Sequence, residues 1–246
     1  MLSRLHLSVV IPAYNEEARL PASLERIDEY LREHRIEGEI LVIDDGSTDR
    51  TSTVAGELLK DRRGRVIGLA ENRGKGAAVR RGVAEAAGRW VLMTDADLSA
   101  PIEEHQKLAA TARDDDVDLV IASRGLEDSR IEVRQAWVRQ TMGKTFNVLM
   151  RAMTGLPFRD TQCGFKLMDR QRVLPLFEKM VVDRFAFDVE LLYLAVRFGL
   201  AVREIPVVWR NEPHSRVNMI TDPINMLRDV ARIRWRFRRG AYNPDK

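Results

Sequence analysis

The sequence predicts an α/β protein whose mostly parallel sheet is covered by helices on both faces. Three observations lead there. Apolar runs of strand length recur along the first half of the chain. Most are continuous rather than alternating, as expected of strands buried on both faces. Helix-length stretches separate them, giving a βαβαβαβ rhythm that a sheet with crossover helices satisfies. The length of 246 residues and the 45% apolar content suit one large domain with a sizeable core.

The elements follow in order. "LSVVIP" (Leu7–Pro12) is the first strand, and Glu16–His34 the first helix. "EILVIDD" (Glu39–Asp45) is the second strand; "STD" (Ser47–Asp49) reads as the cap of the helix over Asp49–Lys60. "RVIGLA" (Arg65–Ala70) and the helix Lys75–Ala87 follow, joined by "ENRGKG", where Gly74 suits a turn with positive φ. "RWVLMTD" (Arg89–Asp95), a helix over Glu103–Arg113 and "DLVIAS" (Asp118–Ser123) continue the rhythm. After Ser123 it breaks. A long helix is expected over Ile131–Thr154, then a loop, then a helix in "FAFDVELLYLAVRFG", then the strand "VREIPVVW" (Val202–Trp209). The chain thus divides into a domain over residues 1–222 and a basic helical tail over 223–246.

Composition narrows the function. The formal net charge is only +3, so bulk charge points to no partner, but "LRDVARIRWRFRRG" gathers six arginines against one aspartate. No nucleic-acid-binding motif accompanies them, and no nucleic-acid partner is expected. Cys163 is the only cysteine, which excludes an intramolecular disulfide and fits a reducing compartment. No run of about 20 apolar residues occurs and no signal-peptide core opens the sequence, so neither a transmembrane helix nor a leader is expected.

Open parallel sheets bind ligands outside the carboxyl ends of their strands. Here those ends read Pro12-Ala13-Tyr14-Asn15-Glu16, Asp44-Asp45-Gly46, Asn72-Arg73-Gly74-Lys75-Gly76 and Asp95-Ala96-Asp97. Each alone is a weak signal, because acidic residues and glycines often end strands. Together, acidic groups at two strand ends and Lys75 at a helix N-terminus suit a metal-bound diphosphate and a ribose. A hard divalent cation takes carboxylate oxygens and fills its other positions with water and substrate phosphates. "IPAYNEEARL" follows the first strand where a dinucleotide enzyme would carry G-x-G-x-x-G, which counts against NAD.

"VVIPAYNEEARL", "ILVIDDGSTDRT", "NRGKGAAVRRGV" and "TDADLSAP" resemble family 2 glycosyltransferases of the GT-A fold, which is Rossmann-like. "ASRGLEDSR", "RDTQCGFKLMDR" and "RFAFDVELLYLA" resemble its polyprenyl-phosphate branch, closely the dolichyl-phosphate β-glucosyltransferases and more distantly the mannosyltransferases. The resemblance spans roughly Leu7 to Trp209. It implies that Pro12, Tyr14, Glu16 and Asp44 hold the nucleoside and that Lys75 helps with base or diphosphate. It implies a D-x-D motif in Asp95 and Asp97, with Asp97 the more direct ligand of Mg2+ or Mn2+. Arg124 would approach the diphosphate or the acceptor phosphate.

The implied reaction moves a hexose, glucose from UDP-glucose, to a polyprenyl phosphate with inversion. A phosphate monoester has its second pKa near about 6 and needs little help from a base. A hydroxyl acceptor would want a carboxylate, and Asp188 is the candidate, with Glu190 second. Asp188 reads equally as an N-terminal charge of its helix, and both readings stay open. Alternatives are mannosyl transfer from GDP-mannose, a sugar nucleotidyltransferase, and a non-catalytic nucleotide-sugar-binding protein. Cys163 reads as a packed side chain. Gln162 and Lys166 sit in a loop that either lines the acceptor pocket or does not touch it. His105 and His214 lack metal-ligand spacing. The helix Ile131–Thr154 carries Val138, Met142, Phe146, Leu149 and Met153 on one face and either packs or lies in a membrane interface. The arginine-rich tail would add attraction to anionic headgroups, with Val230, Ile233 and Phe237 able to insert. A peripheral position at the cytoplasmic face of a membrane is the expectation.

Overall fold

The computed structural model describes residues 6–132, 147–210 and 221–243. Four strands, β1 (Leu7–Ala13), β2 (Gly38–Asp44), β3 (Gly64–Gly68) and β4 (Trp90–Met93), alternate with the helices α1 (Leu20–Glu33), α2 (Thr51–Leu59) and α3 (Lys75–Glu85). A 3-10 turn (Ile102–Glu104) leads into α4 (His105–Asp114), followed by β5 (Leu119–Ser123) and the two-residue β6 (Arg130–Ile131). Residues 147–154 are helical (α5). Then come β7 (Lys166–Asp169), α6 (Arg170–Lys179), α7 (Phe187–Arg197), β8 (Val202–Pro206), β9 (Val208–Trp209) and α8 (Thr221–Arg238).

The main sheet has seven strands in the order β3-β2-β1-β4-β7-β5-β8. All pairings are parallel except those of β7, which runs antiparallel to both β4 and β5. β6 and β9 pair apart from it. The chain winds outward from β1 in one direction to β3, then returns to place β4 on the other side of β1. The crevice at that reversal is where such sheets bind ligands.

Alternation along the strands sorts the core into two layers. Val10, Leu41, Ile43, Val91 and Met93 face a layer with α3, α6, α7 and α8. Val9, Ile11, Ile40, Val42 and Leu92 face a layer with α1, α2 and α4. Burial on both faces is why these strands are apolar throughout. Pro12 lies beyond Val10, the last β1 residue paired with β4, where the missing N–H costs no ladder bond on that side.

Two expectations need correction. The stretch after residue 154 is no plain loop: it supplies β7, in the middle of the sheet, and α6. "KLMD" is short and opens on a lysine, so its strand character comes from two flanking partners rather than from its own pattern. Ile131 is not helical; it pairs in β6 with Trp209 of β9. Of the remaining residues in that stretch, 133–146 lie outside the described ones, including Val138, Met142 and Phe146. Leu149 is exposed and Met153 half-buried.

α8 packs its Met226, Val230 and Ile233 into the same core layer as α7. Val230 and Ile233 are at most 1% exposed, so they are not available to insert into a bilayer. Phe237 is half-buried among the rings of Tyr193, Phe198 and Tyr242.

Candidate active site at the carboxyl ends of the strands

The exits of β1 and β2 are stitched together by side chains. Asn15 adopts φ +53°, a conformation asparagine tolerates better than most residues. Its Oδ1 accepts from Thr48 N at 2.7 Å, and its own N donates to Ser47 Oγ at 2.9 Å. Glu16 N donates to Thr51 Oγ1 at 2.6 Å. Of the "STD" residues, Asp49 meets the start of α2, accepting from Thr51 N at 2.9 Å, while Ser47 and Thr48 bridge to Asn15. Asp44 is buried and accepts from Ser47 N at 3.0 Å. Pro12 and Tyr14 are half-buried beside this loop pair.

Asp45, next to Asp44, holds the third exit. Its two oxygens accept from Arg73 N and Gly74 N, both at 2.8 Å. Burial raises its pKa against the pull of those bonds. Gly74 has φ +110°, and a Cβ there would collide with the Asp183 carbonyl. The N-terminus of α3 is therefore covered by residues 182–184, with Ala77 N donating to Asp183 O at 3.1 Å. The expectation that this helix terminus receives a phosphate is corrected in part: the terminus is packed, and its available charge is the Lys75 side chain.

Lys75 Nζ donates to Asp95 Oδ1. Burial alone would lower the lysine pKa, but the charges of Asp95, Asp188 and Asp97 outweigh it and raise it. Burial would raise Asp95, and Lys75, Lys166 and Arg124 together bring it below the usual carboxylate range. Both groups thus keep their charges near neutral pH. Asp97 is different. Its Oδ1 accepts from Ser99 N at 3.0 Å, and its Oδ2 has a long 3.4 Å contact with Arg19 Nη1. Leu98, at φ +47°, follows Asp97 and closes the turn by donating its N–H to the Asp95 carbonyl at 3.1 Å.

Arg19 links two predicted residues that the sequence left unconnected. Its Nε and Nη2 grip Glu16 at 2.7 and 2.6 Å while Nη1 reaches Asp97. Arg124 is engaged more fully: its Nε and Nη2 donate to Asp160 Oδ2 and Oδ1 at 2.6 and 3.0 Å, and its guanidinium lies 4.9 Å from the Trp209 ring centroid. Burial opposes both charges, yet the pairing raises the Arg124 pKa and lowers that of Asp160. Among the described residues Nη1 of Arg124 makes no hydrogen bond. Asp188, second residue of α7, is buried and accepts from Lys166 Nζ at 2.6 Å. Burial raises its pKa in spite of Lys166 and Lys75. Lys166 is not a loop residue but the first residue of β7, with no exposed surface. Cys163 is buried, its thiol pushed up to about 12 by burial, which suits an inert packed side chain. Glu190 is also buried, accepting from Tyr242 Oη at 2.6 Å and Val182 N at 2.8 Å.

The fold thus gathers Lys75, Asp95, Asp97, Arg124 and Asp188 around one crevice, with Glu16 tied in through Arg19. Sequence reasoning missed Arg19, Asp45, Asp160 and Gly164, and did not pair Lys166 with Asp188. Arg19 lay inside the quoted "NEEARL"; Asp160 and Gly164 lay inside "RDTQCGFK" with nothing to mark their partners.

The donor set can hold a divalent cation of a particular kind. No group of three or more His, Cys, Asp or Glu side chains gathers for a metal among the described residues. Both carboxylates keep exposed surface, but Asp95 is bound by Lys75, while the only ion-pair partner of Asp97 among the described residues is Arg19 at 3.4 Å, so Asp97 is the more available ligand. One or two carboxylates fit a hard cation that shares its coordination with substrate phosphates and water.

The family model of Glycosyl transferase family 2 matches residues 8–174. A dolichyl-phosphate beta-glucosyltransferase of Dictyostelium discoideum is 32% identical over 98% of this chain and 77% of its own. One of Homo sapiens is 35% identical over 98% and 78%. Among solved structures, glucosyl-3-phosphoglycerate synthase from Mycobacterium tuberculosis in complex with Mn2+ and uridine-diphosphate-glucose aligns with TM-score 0.66 at 20% identity, covering 92% of this chain and 78% of that one. At that identity the likeness concerns the fold, which is GT-A.

Proposed function

This chain belongs to glycosyl transferase family 2 and is a glycosyltransferase, and from that premise we propose that it transfers glucose from UDP-glucose to a polyprenyl phosphate of the dolichyl type, inverting the anomeric carbon. The observation that carries the proposal is the Lys75–Asp95 pair with the more loosely paired Asp97 beside it, at the crevice between β1 and β4. The relatives named for glucosyl transfer to dolichyl phosphate support the substrates, and the Mn2+ and UDP-glucose of the structural neighbour support the donor and metal.

In this reading Pro12, Tyr14, Glu16 and Asp44 receive the nucleoside. Lys75 presents a fixed positive charge to the leaving diphosphate, which gathers negative charge in the transition state. Mg2+ or Mn2+ held by Asp97, with Asp95 behind it, would supply further neutralisation of that charge. Arg124, braced by Asp160, offers Nη1 to the incoming phosphate. The candidate base Asp188 is committed to Lys166. A phosphate dianion attacks without a base, so this commitment favours a phosphate acceptor over a hydroxyl.

A lipid acceptor calls for a membrane surface, and the outer face of α8 suits one. Ile224, Arg228, Arg232, Trp235, Arg238 and Arg239 are exposed along one helical stripe. Arg239 lies 4.2 Å from the Trp235 ring centroid. Anionic headgroups attract such a stripe, and a tryptophan suits the interface. At its other end Met226 touches Gln162, two residues from Asp160. No helix among the described residues is long and apolar enough to cross a membrane. We assign this stripe to peripheral contact with the cytoplasmic face of a membrane.

The test is a transfer assay with labelled UDP-glucose, UDP-galactose and GDP-mannose against dolichyl phosphate, with Mg2+, Mn2+ or chelator. Glucosyl transfer that needs the metal is expected. Transfer from GDP-mannose alone would move the chain to mannosyl chemistry. Transfer from none of the donors would overturn the reading.

A further inference from the structure

Lys166 is a charged side chain at the centre of the sheet with no exposed surface. Its register fixes its place: it stands opposite Met93 on β4 and Ile121 on β5. Met93 is two residues before Asp95, so the lysine enters the core directly behind the candidate site. Its ammonium has two partners, the Cys163 carbonyl and Asp188 Oδ1, the latter at 2.6 Å. The first closes the turn that leads into β7. The next residue in that turn, Gly164, lies so close to Asp95 that a Cβ would overlap its carboxylate. The second ties α7, where Asp188 sits in the first turn, to the same strand.

Stability does not explain this arrangement. An ion pair of this kind loses so much hydration that apolar residues of similar volume often hold a core as well or better. What the pair does that an apolar couple cannot is set the charge pattern around Asp95. Lys75, Asp95, Lys166 and Asp188 form a compact group of alternating sign with zero formal charge. Asp95 lies within the field of both lysines, and Lys75 within the field of both aspartates.

We propose that Lys166, together with Asp188, is a positioning pair for glycosyl transfer: it pins the 163–164 turn against the Asp95 carboxylate and keeps the Lys75 ammonium where the donor diphosphate meets it. This rests on the donor reading given above. Asp188 is then a partner of Lys166 and not a base.

The test uses the full chain with two volume-conserving variants, Lys166→Met/Asp188→Asn and Asp188→Asn alone. Each is measured for unfolding temperature, for kcat and KM with UDP-glucose, and for binding of UDP and of UMP with Mn2+ by calorimetry. The expected result is a folded double variant whose kcat falls about 10-fold or more, whose UDP affinity falls by a similar factor, and whose UMP affinity stays within about twofold. Loss of UDP affinity relative to UMP is the readout that a merely structural role leaves unmoved. A base role for Asp188 would lower kcat and leave UDP affinity unchanged, which overturns the proposal. So does a folded double variant with kcat and UDP affinity within about twofold of wild type. If the double variant does not fold, Asp188→Asn decides by the same UDP-to-UMP ratio. Wild-type protein that binds neither UDP nor UDP-glucose would fault the donor reading instead, a distinct outcome.

Discussion

The crevice has two halves that use the same residue types in opposite ways. On the β1–β4 side, Asp97 shows 19% of its side chain and Asp95 shows 28%. On the side built by β5, β7 and α7, Asp160 shows 2% and Asp188 5%, and each is bound to a cation of its own. Carboxylates of the first kind can exchange a protein partner for a ligand. Those of the second kind cannot leave their partners without stranding a buried charge. The difference separates carboxylates free to take a ligand from carboxylates that brace the Arg124 and Lys166 side chains, though the sequence shows only aspartates in both.

The largest effect should come from the buried half. Asp160→Ala leaves Arg124 without its carboxylate and removes the acceptor of Gln162 N, so a loss of about 3–5 kcal/mol of stability is expected in urea unfolding. A loss below about 1 kcal/mol would erase the contrast between the halves. Asp97→Asn should do the reverse. We expect transferase activity to fall by about 10²–10³-fold, a transition-state loss of about 2.7–4 kcal/mol, with stability unchanged to within about 0.5 kcal/mol. A folded Asp97→Asn protein with full turnover at saturating metal would place the chemistry elsewhere.

A pH titration sets the range in which the two halves can be compared. His105, outside both, is buried against the Tyr30 hydroxyl at 2.8 Å, and burial lowers its pKa from 6.5 to about 4. The unfolded chain binds the proton more readily, so this stability is present above about pH 6.5 and is lost as pH falls through about 4. The total is about 3 kcal/mol at most. Unfolding free energies at pH 7.5 and 5 should diverge in the wild type and converge in His105→Gln; equal slopes in both would dismiss this histidine. The smallest effect concerns the outer stripe of α8. Arg232→Gln and Arg238→Gln should each weaken binding to anionic vesicles by about 1 kcal/mol at low salt, with the difference fading at high salt. Equal co-sedimentation of wild type and an Arg232→Gln/Arg238→Gln double variant at both salts would remove the membrane role from this face.

The parallel half of the sheet was legible because each strand announces itself twice, by an apolar run and by the polar residues at its exit. "VVIPAYNEE", "VIDDGSTD", "NRGKG" and "MTDADLS" carry local information, and their convergence follows from parallel strands alone. The segment that becomes β7 was not legible. "KLMD" has no pattern of its own, and it is a strand because β4 and β5 leave a gap that it fills with hydrogen bonds on both sides. The ion pairs show the same limit. Glu16 and Arg19 are three residues apart and can be guessed as neighbours; Arg124 with Asp160 and Lys166 with Asp188 are joined by the fold. The exposed arginines of α8 were visible as charge in the sequence, but which of its apolar residues face the core was decided by packing on α7. Sequence by itself determined the elements that depend on neighbours along the chain, together with the residue types at the strand exits. Tertiary structure decided which charges are buried, because burial and pairing depend on partners that only the folded chain brings together.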